Sequence, residues 1–238
     1  MTTNSTSQIV DFSDLLTRFT KDHPDTIYRG VSNKDFKLTS KFDRLCTDEK
    51  CKSYKFCKRR FEDKTTCENK LLNDFRIRAQ SFLKHKPENT WEWLSLAQHH
   101  GLPTRLLDWT DNPLVAAYFA VSENNSIDGA IYCLKGRGEF VDIVEEDDPF
   151  TNDISAGKRL LPVHVTNRIV AQAGQFTIAS ITESDGYDID KFIIPAEIKD
   201  DVRTRLNEYG INKFSLFPDL DSISHHLEWY MMAYNQKV

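Results

Sequence analysis

The sequence predicts a single α+β domain spanning 1–238, with a mixed β core, flanking N- and C-terminal helices and a Cys-rich insertion at about residues 45–68. Three observations carry this expectation. Apolar residues recur at helical spacing toward both ends of the chain. Short strand-like runs lie between them without regular helix–strand alternation, and no internal repeat or Ser/Pro-rich linker divides the 238 residues.

Composition agrees with a globular chain. With 39% hydrophobic and 28% charged residues it can bury a sizeable core, while 9 Gly and 8 Pro exclude collagenous or low-complexity architecture. No apolar run approaches the ~18 residues of a membrane span. The opening MTTNSTSQIVDF has neither a basic nor an apolar leader region, so a soluble, cytoplasmic protein without membrane contact is expected. A formal charge of −5 confines any nucleic-acid contact to a local basic patch.

The elements follow in order. Ile9, Phe12, Leu15, Leu16 and Phe19 predict a first helix over 8–20, and TIYRG at 26–30 predicts a short strand ending on Gly. Leu71, Leu72, Phe75, Ala79, Phe82 and Leu83 predict a second helix over 71–83. Asn89 with Glu92 three residues on resembles a capping box, opening a third helix that stops at Gly101. Asn112-Pro113 is a cap plus first-turn proline for a fourth helix, 114–121, apolar nearly all round and therefore buried. Residues 130–134, 175–181 and 191–195 read as strands. Ile198, Val202, Leu206 and Tyr209, closed by Gly210, form one late helical stripe, and Leu220, Ile223, Leu227, Tyr230, Met231 and Tyr234 form another.

Four of the five cysteines, Cys46, Cys51, Cys57 and Cys67, share one 22-residue window. Thiolates closing around a structural zinc would stabilise a segment with almost no core of its own. The short C-x2-C knuckles of zinc ribbons are absent, so thiols in a polar loop remain the alternative. Cys133 reads as a small core residue. Lys50, Lys52, Lys55, Lys58, Arg59 and Arg60, interleaved with Tyr54, Phe56 and Phe61, suit phosphate contact with base stacking. A solvated helical face, partly neutralised by Asp48, Glu49, Glu62 and Asp63, explains the run as well.

Three further segments set polar residues in apolar context. Tyr28-Arg29-Gly30 puts a planar guanidinium at a strand end beside a Gly that would let a ligand approach, although an internal ion pair for Arg29 fits too. QHHGLPTRLLDWTDNPLVAAYFA, from Gln98 to Ala120, crowds Gln98, His99, His100, Arg105, Asp108, Trp109, Thr110 and Asp111 ahead of a buried helix. A ligand pocket accounts for it, and so does a structural corner in which Arg105 pairs with Asp108 under Trp109. RIVAQAGQF, from Arg168 to Phe176, could present the Gln172 amide to a bound group or simply satisfy its own turn. The two adjacent His lack the i, i+4 spacing of a helical zinc pair, and no G-x-S-x-G elbow supplies a nucleophile.

Together these segments resemble the FRG domain, a family named for its aromatic-Arg-Gly motif. Tyr28-Arg29-Gly30, the QHHGLPTRLLDWT run through Tyr118-Phe119-Ala120, the Arg168/Gln172/Gly174/Phe176 pattern and Leu216-Phe217-Pro218-Asp219-Leu220 carry the resemblance. Members are mostly bacterial or phage-associated, and their layout looks like that of ADP-ribosyltransferases. The resemblance therefore implies an ADP-ribosyltransferase-like core and NAD as cofactor. In such enzymes an Arg holds the NAD phosphates, a middle segment lines the nicotinamide pocket, and a late Glu stabilises the cationic centre formed as nicotinamide leaves. Arg29 matches the first element, Asp108 to Thr110 occupy the place of the usual Ser-Thr-Ser, and Gln172 stands near the Glu position. A neutral amide lacks the charge that stabilises a developing cation, which makes Asp108 the candidate acid.

On this resemblance the expected function is that of a toxin or anti-phage effector passing ADP-ribose to a macromolecule, protein, RNA or DNA, or to water. Arg29, His99, Asp108 and Gln172 form the expected catalytic set, and Tyr28, Arg29, Gln98, Arg105 and Trp109 the cofactor-binding set, with Trp109 stacking on the ligand. An antitoxin protein is a further expected partner. The alternative is a non-catalytic module of a defence or toxin–antitoxin system that binds nucleic acid or protein through the basic-aromatic insertion. A metal-dependent nuclease ranks last, because no Asp/Glu/His ligands stand at useful spacing.

Overall fold

A computed structural model describes residues 4–19, 25–46, 63–83, 85–123, 125–136, 138–143, 148–150, 157–162, 170–178, 181 and 187–235, the last three by main chain alone. The elements are β1 (Thr6–Gln8), α1 (Phe12–Phe19), β2 (Ile27–Val31), α2 (Lys41–Leu45), α3 (Lys64–Ala79), α4 (Thr90–His99), β3 (Leu106–Thr110), α5 (Pro113–Val121), β4 (Gly129–Leu134), β5 (Arg159–Leu160), β6 (Gly174–Ile178), β7 (Ile189–Ile194), α6 (Lys199–Glu208), α7 (Lys213–Leu216) and α8 (Leu220–Asn235). The strands form one seven-stranded sheet in the order β1-β7-β4-β2-β3-β6-β5, mixed because β1 runs parallel to β7 and every other pair is antiparallel. The α+β class is therefore as the sequence predicts.

The sheet is unevenly joined. β2 pairs with β4 through five residues, from Ile27↔Leu134 to Val31↔Ala130, and β3 pairs with β6 through five. β2 and β3, its central neighbours, meet at the single pair Tyr28↔Thr110 and then part. That pair fixes the faces by strand alternation. Tyr28, Leu106, Asp108 and Thr110 share one face; Ile27, Arg29, Leu107 and Trp109 share the other.

Two apolar clusters cover the first face. Tyr28, Ile131, Cys133, Phe192 and Ile194 pack against α1, α5 and α6, while Leu106, Phe176 and Ile178 pack against Trp91, Trp93 and Leu94 of α4 and Leu72 of α3. Asp108 lies at the seam between them. On the opposite face Ile27, Leu107, Trp109, Leu134 and Ile189 form a smaller cluster.

Local chemistry explains why α5 sits where it does. Asn112 Oδ1 accepts from the Leu114 N–H at 2.9 Å, Pro113 occupies the first turn, and Val115, Ala116, Ala117, Ala120 and Val121 are buried. The helix then lies directly on β2. A Cβ placed on Gly30 would stand 1.8 Å from the Ala116 carbonyl oxygen. The close approach of α5 thus requires a glycine at position 30, in addition to the opening that glycine leaves at the cavity wall.

Other differences have simple causes. The first helix is confined to Phe12–Phe19 because Thr6–Gln8, too polar to signal a strand, joins the sheet edge. α3 opens at Lys64 under an Asp63 cap, where KTTCENK carries little apolar periodicity. β3 was not legible as a strand, since LLDWT does not alternate apolar with polar. The last helix forms as predicted, but its stripe is not core: Leu220, Leu227 and Met231 are exposed.

Candidate functional site

Where β2 and β3 part, a cavity of about 310 Å³ opens between the two halves of the sheet. Residues from both faces of β3 line it, Leu106 and Asp108 from one and Leu107 and Trp109 from the other. Tyr28, Arg29, Gln98, Phe119 and Gln172 complete much of the wall. A second cavity of about 640 Å³ adjoins it and shares Arg29, Gly30, Arg44 and Phe119. Guanidinium groups at this common waist suit a ligand whose negative charge lies between two uncharged ends.

A hydrogen-bonded chain organises the first cavity. The Arg29 Nη1–H donates to the main-chain carbonyl of Asp108 at 2.5 Å, and stands 3.5 Å from Oδ2 of the same residue. This guanidinium takes a carbonyl from a stretch of β3 that does not pair with β2. Gln98 Nε2 donates to both Asp108 carboxylate oxygens at 3.1 Å, and Thr104 Oγ1 donates to Gln98 Oε1 at 2.7 Å, which fixes the orientation of the amide. Arg29 and Gln98 both donate toward Asp108, whose side chain is 57% exposed and lines the cavity. Burial pulls the Arg29 guanidinium below its ordinary pKa while Asp108 opposes the shift, and Arg29 Nε is buried without a hydrogen-bond partner among the described residues.

Gln172 reaches the cavity from a turn. Thr110 Oγ1 donates to the Gln172 carbonyl at 2.6 Å, Gln172 Nε2 donates to the Leu216 carbonyl at 3.1 Å, and Ala173 adopts φ 44°. A non-glycine residue in the left-handed region is strained by about 1 kcal/mol or more, and such strain concentrates at sites. With one N–H engaged by Leu216, Gln172 keeps a second N–H and its oxygen to offer a hydroxyl.

Of the residues expected from the sequence, Tyr28, Arg29, Gln98, Asp108, Trp109 and Gln172 line this one cavity. Two do not. His99 stands outside the lining, its ring edge-on to His100 at 4.8 Å. Arg105 turns away to Glu68, whose carboxylate accepts from the Arg105 backbone N–H and Nε, both at 2.6 Å, and it also donates to the Pro149 carbonyl and lies over the Phe150 ring. The Arg105–Asp108 pairing is therefore replaced by a buried Arg105–Glu68 pair. Burial raises the Glu68 pKa, with Arg105 opposing.

Trp109 also departs from its expected role. It is 3% exposed, with Nε1 donating to Thr177 Oγ1 at 2.9 Å inside the smaller cluster, so its indole is packed mostly in the core and leaves little surface at the cavity wall for stacking. Lys41 and Arg44, which sequence reasoning missed, bring further positive charge to the wall from α2. Ser40 caps that helix by accepting from the Asp43 N–H at 3.1 Å, and the SKFD run was the available signal.

The four-cysteine zinc set cannot be assembled from the described residues, since Cys51 and Cys57 lie outside them, as does the basic-aromatic run from Lys50 to Phe61. Cys46 and Cys67 are buried in one cluster with Phe42, and Cys46 is disulfide-bonded. Arg168 also lies outside the described residues. Among the described residues no group of three or more His, Cys, Asp or Glu side chains could hold a metal ion, and no helix is long and apolar enough to cross a membrane.

Comparison with known proteins gives one match: residues 24–129 fit the family model of the FRG domain. That span contains Tyr28-Arg29-Gly30 and the run from Gln98 through Ala120, hence every described wall residue except Gln172. No curated protein and no solved structure matches the chain.

Proposed function

We propose that this protein, FRG-like over residues 24–129, is an ADP-ribosyltransferase-like enzyme that binds NAD across the fork between β2 and β3 and transfers ADP-ribose to a macromolecular acceptor or to water. One observation carries the reading: a guanidinium, a carboxylate and two amides from four separate segments meet in one cavity that continues past Arg29 into a second. The paired cavities suit a dinucleotide, a pyrophosphate flanked by two nucleosides, better than a single small metabolite.

The NAD molecule supplies the labile glycosidic bond, whose cleavage releases nicotinamide and leaves positive charge on the ribose. In this reading Arg29, which lines both cavities, neutralises the pyrophosphate at the waist, and Arg44 adds a second positive charge there. Asp108, held by Gln98 and Arg29, places a negative charge where cationic character develops. Gln172 accepts from a ribose or acceptor hydroxyl. Asp108 thereby takes the place of the late Glu of the enzymes this chain resembles.

Chromatographic assay of nicotinamide release by the purified protein tests the proposal. Release that falls in both Arg29→Ala and Asp108→Asn is expected, together with loss of any growth arrest caused by expression in a bacterial host. The absence of NAD binding in calorimetry and of NAD consumption with cell extract as acceptor source would overturn it, leaving a recognition module.

A further inference from the structure

A separate cavity of about 190 Å³ lies among α5, α6, α7 and α8, bordered by Tyr118, Arg203, Lys213, His225, His226 and Trp229. One water occupies about 30 Å³ of liquid, so the hollow is ample for a phosphoryl group. We propose that this cavity is an anion site that takes a phosphoryl group. The inference does not rest on the NAD reading.

The lining carries cations and neutral donors and, among the described residues, no carboxylate. Arg203 lies over the Trp229 ring at 5.7 Å, and His226 stacks on the same indole with an interplanar angle of 27°. Arg203 also bonds to Asp200, which anchors one side of its fork, yet Nε is buried without a hydrogen-bond partner among the described residues. Arg203 and Lys213 bring two cations to the wall of one hollow, and the oxygens of a phosphoryl group are acceptors that suit both. Tyr118, its pKa pushed up to about 12 by burial, keeps its hydroxyl proton to donate. Glu228, outside the lining, stands 3.8 Å from His225, so selection of an anion rests on directed donors as well as on charge. Ser122 borders both this cavity and the larger one beside Arg29 and Arg44, which makes a phosphate of a bound nucleic acid one source of the group and free phosphate the other.

Trp229 serves as a local reporter. Titration of the whole protein with inorganic phosphate is expected to change its tryptophan fluorescence saturably, and the change is expected to vanish in Trp229→Phe. Lys213→Gln, at a partly exposed position, is expected to raise the midpoint about tenfold, as is Arg203→Gln provided its circular dichroism is native. Lack of a saturable change, or a midpoint that neither variant moves, overturns the site. A 5′-phosphorylated trinucleotide saturating at lower concentration than inorganic phosphate assigns the group to nucleic acid; equal midpoints assign it to free phosphate. An unphosphorylated trinucleotide that binds as well as the phosphorylated one overturns the proposal.

Discussion

Arg29 donates to the Asp108 backbone carbonyl at 2.5 Å and lies 3.5 Å from the Asp108 carboxylate, although alternation sets the two side chains on opposite faces of the sheet. The contact passes through the gap between β2 and β3. The closer bond goes to the main chain, so the carboxylate can be altered without unseating the guanidinium.

Asp108→Asn therefore separates charge from shape. Its urea midpoint should correspond to a stability within about 1 kcal/mol of wild type, since the Arg29–carbonyl bond persists. Nicotinamide release should fall by about 100-fold or more, the loss typical when a preorganised charge or dipole is removed from a reacting centre. Unchanged release measured by chromatography would deny Asp108 that role.

Gly30→Ala should destabilise the fold by about 1–3 kcal/mol, because the added Cβ meets the Ala116 carbonyl and α5 must withdraw. Thermal unfolding monitored at 222 nm reads the change. A stable Gly30→Ala protein defective only in ligand binding would leave the glycine only the role its motif first suggested.

Glu68→Ala leaves Arg105 buried without its carboxylate and should cost about 3–5 kcal/mol. Replacing both residues by Met should cost less than the single change, a double-mutant comparison readable from urea midpoints.

Much of this architecture was legible in advance, for identifiable reasons. Caps announced α4 and α5, and the polar residues of β2 and β3 were found because they interrupt apolar runs. Arg105 was misread because its partner lies 37 residues upstream, beyond any local spacing rule. The burial of Trp109 was not legible because LLDWT does not alternate apolar with polar; the strand sets its indole opposite Asp108, against Thr177. β1 left no trace because Thr6–Gln8 is held by backbone pairing with β7 and contributes almost nothing apolar.

The attachment of β1 should depend on acid. Burial alone would raise the Asp190 pKa, but Lys135 at 2.5 Å and the hydroxyl and backbone N–H of Ser5 outweigh it and hold the carboxyl below its ordinary 3.8. A depressed folded pKa means that this stabilisation is present above pH 3.8 and is lost as the pH falls through the folded value. Hydrogen exchange of the 6–9 amides should accelerate over that interval, and Asp190→Asn should abolish the dependence.

The disulfide at Cys46 predicts a thiol count. Of five cysteines, three should react with Ellman's reagent in the unfolded, unreduced protein and five after reduction. Five reactive thiols before reduction, accompanied by stoichiometric zinc in metal analysis, would instead favour the four-thiolate site.

A sheet fastened at its middle by one rung has little torsional stiffness there, because twisting its halves apart sacrifices few hydrogen bonds. Such twisting would change the width of the cleft. Any guest touching both halves would act as a brace, so occupancy should be felt as rigidity at the outer edges, far from the guest itself.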